Sequence, residues 1–287
     1  MKVNGCDCTI VIKTSHHEFD VPYSEETIRE AVSVLQEKAS IEGDGNCKAI
    51  TKKSGVTGCV VTPLTLSNSS LMLYLAMGSA GKPVYVSETR SMYRYSLNLL
   101  PLEDTDYFDL IQDRGIERRV FEQCRIKSFE LRFEREQAVK LKLDICGERS
   151  PTAYLYTDTY ERATGERFNS NHVNYLINGL EYINIYGLTI NVKKEGDTKT
   201  EIWINRVLIK DKEIPANIEE LVITARLMRD KYEYRHFGVF RITLKRLVAV
   251  SDETNVNNAD AVIGPIRYYV SGGISTEVFT SGEEILQ

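Results

Sequence analysis

The stretch Phe129–Ile145, FELRFEREQAVKLKLDI, decides the fold class of this chain. Apolar residues occupy its odd-numbered positions on both sides of the segment Glu134–Gln137, and the positions between them are mostly charged. Successive side chains of a strand point to opposite faces of a sheet, so this period of two predicts two strands with one buried and one charged face, joined by a turn at Glu134–Gln137. Such a charged face normally meets water or a second chain, which favours assembly over chemistry.

The charged positions of this hairpin are the first candidates for a subunit contact or for the lining of a channel. They are Glu130, Arg132, Glu134, Lys140, Lys142 and Asp144. A second group lies upstream, where an acidic stretch is soon followed by arginines. Opposite charges so close together suit a contact between identical subunits. From this group the candidates are Asp104, Asp106, Arg118 and Arg119.

The sequence gives no positive reason to expect an enzyme, a cofactor or a metal site. Four aspartates within residues 104–113 offer oxygen ligands for a cation, but the EF-hand spacing is absent, so a solvated face or a salt-bridge patch is the favoured interpretation. The six cysteines include no Cys-x-x-Cys pair and are expected to be reduced thiols. No arrangement of nucleophile, base and orienting acid stands out.

Composition limits the classes of partner. The chain has 287 residues, 42% of them hydrophobic and 27% charged, which is typical of a folded protein. Its formal net charge of −5 lacks the basic excess of proteins that hold nucleic acid through phosphates, although it suits a surface along which DNA passes. No apolar run reaches the roughly 20 residues of a membrane span, and the first residues lack a signal-peptide core, so we expect synthesis in a cytosol without membrane insertion.

Two helices are expected. Ser24 can cap a first turn that carries Glu25 and Glu26, and a stripe of apolar residues then predicts an amphipathic helix over 24–41. A loop over 43–58 follows. Residues 67–78 fit both a strand and a short helix that ends at Gly78, and the short helix is favoured.

Most other segments are expected to be strands. They are Thr9–Lys13, two strands within 84–100, a pair over 188–204 joined by a turn at Lys194–Asp197, one over 240–244 and one over 266–270. The apolar phase of the strand that leads into the first hairpin changes at Lys127–Ser128, which predicts a β-bulge there. The hairpins at 129–145 and 188–204 have similar lengths and turns, which is consistent with either a diverged internal repeat or chance likeness.

A series of motifs connects these elements in a recognisable order. They are Leu75–Gly78, Tyr93–Leu97, Tyr107–Leu110, Cys124–Leu131 and Val139–Gly147, with looser matches at Phe168–Val173, Gly187–Val192 and Arg229–Glu233. They describe a short helix ending at a glycine, a strand pair, and a hairpin preceded by a small residue. This order resembles the tail tube proteins of tailed bacteriophages. The helix expected at 24–41 is not part of that pattern.

The resemblance implies a fold and a role. The fold is mainly β, a sandwich or barrel of tail-tube type, with one amphipathic N-terminal helix and short additional helices. Residues 1–58 would be an N-terminal strand-helix extension and 59–287 the tube-type domain, with two related units over 59–150 and 168–287. The implied protein forms homohexameric rings that stack into a hollow tube for DNA ejection, assembles in the host bacterial cytoplasm, and resides in the virion tail beside tape measure, tail terminator or baseplate proteins.

Two alternatives stay open. The chain could be a β-rich glycan-binding domain or hydrolase, because tyrosines can supply flat surfaces for sugars; the candidates are Tyr154, Tyr156, Tyr160, Tyr232 and Tyr234. It could also be another tail structural protein, such as a tail completion protein.

Overall fold

A computed structural model describes residues 9–15, 18–36, 49–87, 92–114, 118–147, 152–153, 165–182, 185–194, 200–209, 215–228, 237–250 and 267–280. Strands dominate these residues, so the expectation of a mainly β protein is confirmed.

The strands of the first half are β1 Thr9–Lys13, β2 Glu18–Asp20, β3 Glu25–Glu26, β4 Arg29–Gln36, β5 Ala49–Pro63, β6 Gly78–Ala80, β7 Val84–Ser87, β8 Met92–Leu99, β9 Phe108–Asp113, β10 Arg118–Glu134 and β11 Lys140–Gly147. Those of the second half are β12 Thr152–Ala153, β13 Val173–Ile177, β14 Leu180–Glu181, β15 Ile185–Lys194, β16 Thr200–Ile209, β17 Asn217–Met228, β18 Phe237–Val250, β19 Arg267–Val270 and β20 Ile274–Thr280. The helix α1 covers Ser69–Met77, and 3₁₀ turns cover Leu102–Asp104 and Ser170–His172.

The antiparallel pairings define two main sheets. The front sheet has the order β4–β5–β11–β10–β15–β16, with β3 beside β5. The back sheet has the order β14–β13–β17–β18–β20–β8, and β6 and β7 both pair with the far side of β8. β19 pairs with β16 and β18 and so joins the two sheets. Among the described strands the pairings never return to their starting strand, so the network is open.

Apolar residues of both sheets form one large shared hydrophobic core. The rings of Phe133 on β10 and Tyr175 on β13 meet edge to face with centroids 6.4 Å apart, which joins the front sheet to the back sheet. Phe168 and Phe240 form a similar pair at 5.1 Å. α1 is buried on almost every side and packs against β8 and β20 of the back sheet. The period-two pattern therefore places its apolar face in this shared core.

The hairpin at 129–145 is confirmed. Leu131 of β10 lies opposite Leu141 of β11, and the Gln137 N–H donates to the Glu134 carbonyl at 3.1 Å in the turn. The register shifts between Ile126 and Ser128, so the predicted bulge is also confirmed. The second hairpin forms from β15 and β16, and β15 pairs directly with β10.

The predicted helix over 24–41 is wrong. Residues 25–26 and 29–36 are strands β3 and β4, which pair with β5, and 37–41 lie outside the described residues. The apolar residues of this segment satisfy a helical stripe, but β-branched Val32 and Val34 also alternate, and pairing with a neighbouring strand overrides the local preference. The predicted loop over 43–58 is likewise wrong for 49–58, which belongs to β5; 43–48 lie outside the described residues.

β5 runs through residue 58, where the sequence suggested a domain boundary. Its first part pairs with β4 and its second part with β11. At Gly58 the backbone has φ +150°, and a Cβ atom there would lie 2.4 Å from the Thr27 carbonyl oxygen. The backbone at Thr27 can therefore pack this closely against β5 only because residue 58 is a glycine.

The short helix expected over 67–78 is confirmed as α1. Gly78 ends it in the left-handed conformation, and its N–H donates to the Tyr74 carbonyl. The other strands expected from the alternation, β1, β7, β8, β18 and β19, are present.

Candidate assembly surfaces

The six charged hairpin candidates lie on one face of the front sheet, opposite the core. All are half-buried, and they are Glu130, Arg132, Glu134, Lys140, Lys142 and Asp144. β10 pairs with β11 on one side and with β15 on the other over much of this stretch, so the charges sit in the middle of a sheet. The interface or channel role of these residues stays a prediction.

Most of these charges are partnered within the chain. The Arg132 guanidinium donates to the Glu130 carboxylate, and this hydrogen bond raises the pKa of Arg132 above its usual value, with further contributions from the charges of Glu130, Glu134 and Glu25. On β11, the Lys142 ammonium lies 3.6 Å from Asp144. This face is therefore a mixed-charge surface with its local pairs already formed.

Charge reversal at Lys142 and at Lys140 is expected to affect the stability of the protein differently. Lys142 lies opposite Glu130 and beside Asp144, whereas Lys140 lies opposite Arg132. Like charges directly opposite destabilise a sheet by about 0.2–1 kcal/mol and opposite charges stabilise it similarly. We expect Lys142→Glu to lower the free energy of unfolding by about that amount and Lys140→Glu to leave it equal or higher, as measured by urea denaturation. Equal losses for the two variants would contradict this account.

The second candidate group divides between a loop and a strand. Asp104 and Asp106 are exposed in the segment before β9, and the Tyr74 hydroxyl donates to Asp106 at 2.7 Å. Arg118 and Arg119 begin β10, and Arg118 forms an ion pair with Asp113. No group of three acidic, cysteine or histidine side chains capable of holding a metal occurs in the part of the chain that the structure describes.

The back sheet exposes apolar side chains at both of its edges. At the β7 edge, Val84, Tyr85 and Val86 are consecutive and are 49%, 44% and 50% exposed. At the opposite edge, Leu180 of β14 is 67% exposed. Among the described strands, nothing pairs with the outer side of β7 or of β14. Sequence reasoning missed these edges, although the apolar run after Pro83 is visible in the sequence.

A concave polar groove of about 660 Å³ lies on the solvent face of the back sheet, between these two edges. Its lining includes Val222 and Thr243 together with both acidic and basic side chains. Glu277 accepts a hydrogen bond from Arg241 at 3.2 Å and lies 3.6 Å from Arg94. The lining holds three acidic side chains and three basic ones, so the charges of this groove balance. They are Glu181, Glu220, Glu277, Arg226, Arg241 and Lys245.

An aromatic patch, defined as Trp203, Tyr269, Val248 and Val250, lies where β16, β19 and β18 meet. The two rings have centroids 4.9 Å apart, and Tyr269, Val248 and Val250 are 37%, 48% and 39% exposed. The Arg267 guanidinium lies 5.2 Å from the centre of the Trp203 ring. The sequence contains a sign of this patch. Trp203 stands between Ile202 and Ile204, which are buried, and therefore on the face of the strand that points away from the core.

The sequence prediction for Lys194 is wrong. It was assigned to a turn, yet its side chain is buried, and its ammonium donates to the Met77 carbonyl at 3.4 Å at the end of α1. Burial lowers the pKa of Lys194 to about 8. Cations are favoured at a helix C-terminus, but here desolvation is the larger effect on the pKa.

This lysine predicts a pH-dependent stability. Its folded pKa lies below its unfolded value, so between pH 8 and 10.5 the unfolded state binds more protons and the free energy of unfolding rises with pH. We expect Lys194→Met to be more stable than the wild type at pH 7, by up to about 3 kcal/mol. The advantage should shrink as the pH approaches 10.5, as followed by urea denaturation at several pH values. The Met77 carbonyl keeps its bond from the Leu100 N–H in the variant. A difference that does not change with pH would contradict the assignment.

The remaining sequence predictions concern the cysteines and a set of tyrosines. Cys59, Cys124 and Cys146 are free thiols, and burial is the main cause that raises the pKa of Cys124 to about 12. The five tyrosines of the glycan-binding alternative, 154, 156, 160, 232 and 234, lie outside the described residues. The one α-helix in the described part is too short to cross a membrane.

Comparison with known proteins does not assign the chain to a family. No protein-family model matches the chain, and no curated protein matches it.

Proposed function

We propose that this protein is a structural subunit of a phage or phage-like tail, and that its hexameric rings stack into a hollow tube for DNA passage. The observation that carries the proposal is that both edges of one sheet are unpaired among the described strands and expose apolar side chains. These are Val84, Tyr85 and Val86 at β7, and Leu180 at the two-residue strand β14. An exposed apolar edge strand is a template for pairing with another chain and is a hazard in a protein that stays monomeric.

The two edges are different surfaces at opposite ends of the same sheet. A contact between the β7 edge of one copy and the β14 edge of the next is heterologous, and such contacts close into a ring when the rotation between copies allows it. In a closed ring every strand of the sheet gains a neighbour, which removes the edges altogether. Ring formation therefore explains why apolar residues stay exposed at both edges of the isolated subunit.

The polar groove supports the same proposal. A sheet that curls into a ring turns its concave face inward, so the groove that contains Arg241 and Glu277 would line the bore, with Arg94 beside it. Both arginines lie near the Glu277 carboxylate, which reduces their attraction for phosphates. A charge-balanced surface of this kind would let DNA slide without being held.

Electron microscopy of the purified full-length protein tests the proposal. Negatively stained samples over a range of concentrations, with sedimentation velocity on the same samples, should show six-membered rings and short tubes. A protein that stays monomeric at high concentration, also in the presence of tail-end proteins, would refute the proposal.

A further inference from the structure

We propose that the aromatic patch binds the C-terminal segment 281–287 of a second copy of this chain, and that this contact stacks one ring on the next. The inference rests on the proposed function, because ring closure uses the two apolar edges and leaves stacking to another pair of surfaces. The patch and the end of β20 are such a pair.

The patch has the composition of a binding hot spot. Tryptophan, tyrosine and arginine are the side chains most enriched where protein contacts contribute most to affinity. Here Trp203 and Tyr269 pack together beside Arg267, and the exposed Val248 and Val250 extend the apolar surface. Exposed Arg246 lies two residues before Val248 on the same strand, so the surface is apolar with a basic rim.

The sequence of residues 281–287 is complementary to this surface. It reads SGEEILQ, with Glu283 and Glu284 followed directly by Ile285 and Leu286. Two carboxylates suit the basic rim, and two aliphatic side chains suit the apolar centre. Electrostatic complementarity of this kind fixes the register of a contact and suppresses wrong partners.

A contact with the patch of its own chain would require the segment to fold back along β18. Phe279 lies opposite Val239, at one end of β18, whereas the patch residue Val248 lies nine residues further along that strand. Nine residues of strand span about 30 Å. The seven residues from Phe279 to Leu286 span at most about 25 Å when fully extended. The fully extended backbone would therefore end about 5 Å short of Val248, which favours a second copy as the partner.

The direction of the contact follows from the same strand. β20 ends at one end of the back sheet, and the patch lies at the other end. A contact between opposite ends of two copies is head to tail, leaves both terminal surfaces unfilled, and repeats without limit. This is the geometry that stacking of rings requires.

A complementation experiment with the full-length protein tests the contact. The patch variant is Val248→Glu/Val250→Lys, and the tail variant is Ile285→Ser/Leu286→Ser. We expect each variant alone to form rings that do not stack, because each lacks one half of the contact. An equimolar mixture should give stacks of two rings in sedimentation velocity, since the intact tails of the patch variant can bind the intact patch of the tail variant.

Trp203 is the one tryptophan of the chain and reports directly on the patch. Its emission should shift to shorter wavelength as the wild-type protein stacks, and should stay unshifted in the tail variant. Stacking of the tail variant as in the wild type, or a mixture that does not associate, would overturn the inference while leaving the proposed rings intact. Association through the patch without any six-membered ring would instead refute the proposed function and the stacking of rings, while leaving the binding of the segment by the patch intact.

Discussion

Replacing Val84 with Glu and Val86 with Lys is expected to abolish ring formation while leaving the fold intact. Both side chains are about half exposed on β7, so the isolated subunit loses little by their replacement. In a ring the neighbouring subunit would cover these positions. The lysine introduced at 86 would then be a buried ion without a partner, which costs several kcal/mol. We expect the concentration needed for rings to rise by at least about 100-fold, as measured by sedimentation velocity.

The pair of substitutions keeps the net charge of the chain, so a general change in solubility does not explain the result. Glu at 84 lies opposite Arg94, which makes the substitution favourable in the monomer. The matched control is Val248→Glu/Val250→Lys, which makes the same replacements at exposed valines of the aromatic patch. Rings should persist in the control. Rings that form equally well in the edge variant would show that β7 is not a subunit contact.

Gly58→Ala is expected to destabilise the protein by about 3 kcal/mol or more. The added Cβ would lie 2.4 Å from the Thr27 carbonyl oxygen and 2.6 Å from the Ile28 Cα, and the backbone φ of +150° is unfavourable for alanine. Both obstacles are backbone atoms of the segment between β3 and β4, so this segment must move away from β5. Urea denaturation measures the loss of unfolding free energy.

Gly81→Ala is the control for this prediction. Its nearest neighbour would be the Ser96 carbonyl oxygen at 3.4 Å, an ordinary contact, so we expect a change within about 0.5 kcal/mol. The comparison also tests the strand assignment of residues 25–36. If that segment formed the helix that its apolar stripe suggests, Gly58 would not meet Thr27, and the two glycine variants would behave alike.

The success and failure of the sequence predictions follow from where the deciding contacts lie. The hairpin around Glu134–Gln137 was predictable because alternation, turn and bulge are all local, and the two strands are neighbours in sequence. Residues 24–41 were mispredicted because their apolar spacing fits two periods. Pairing of β4 with β5 makes the segment a strand, and the first half of β5 had been predicted to be a loop. Lys194 was assigned to a turn by its neighbours, although it is buried at the end of α1.

The amino-acid sequence alone determined that the chain is mainly β, that one face of the 129–145 hairpin is charged, and that a short helix ends at Gly78. These features depend on the side chains of adjacent residues. Only the tertiary structure decided which apolar residues stay outside the core. Val84–Val86, Leu180 and the aromatic patch are exposed because the strands that carry them lie at sheet edges or at the junction of two sheets. That position results from pairings between residues far apart in the chain, which local periodicity does not encode.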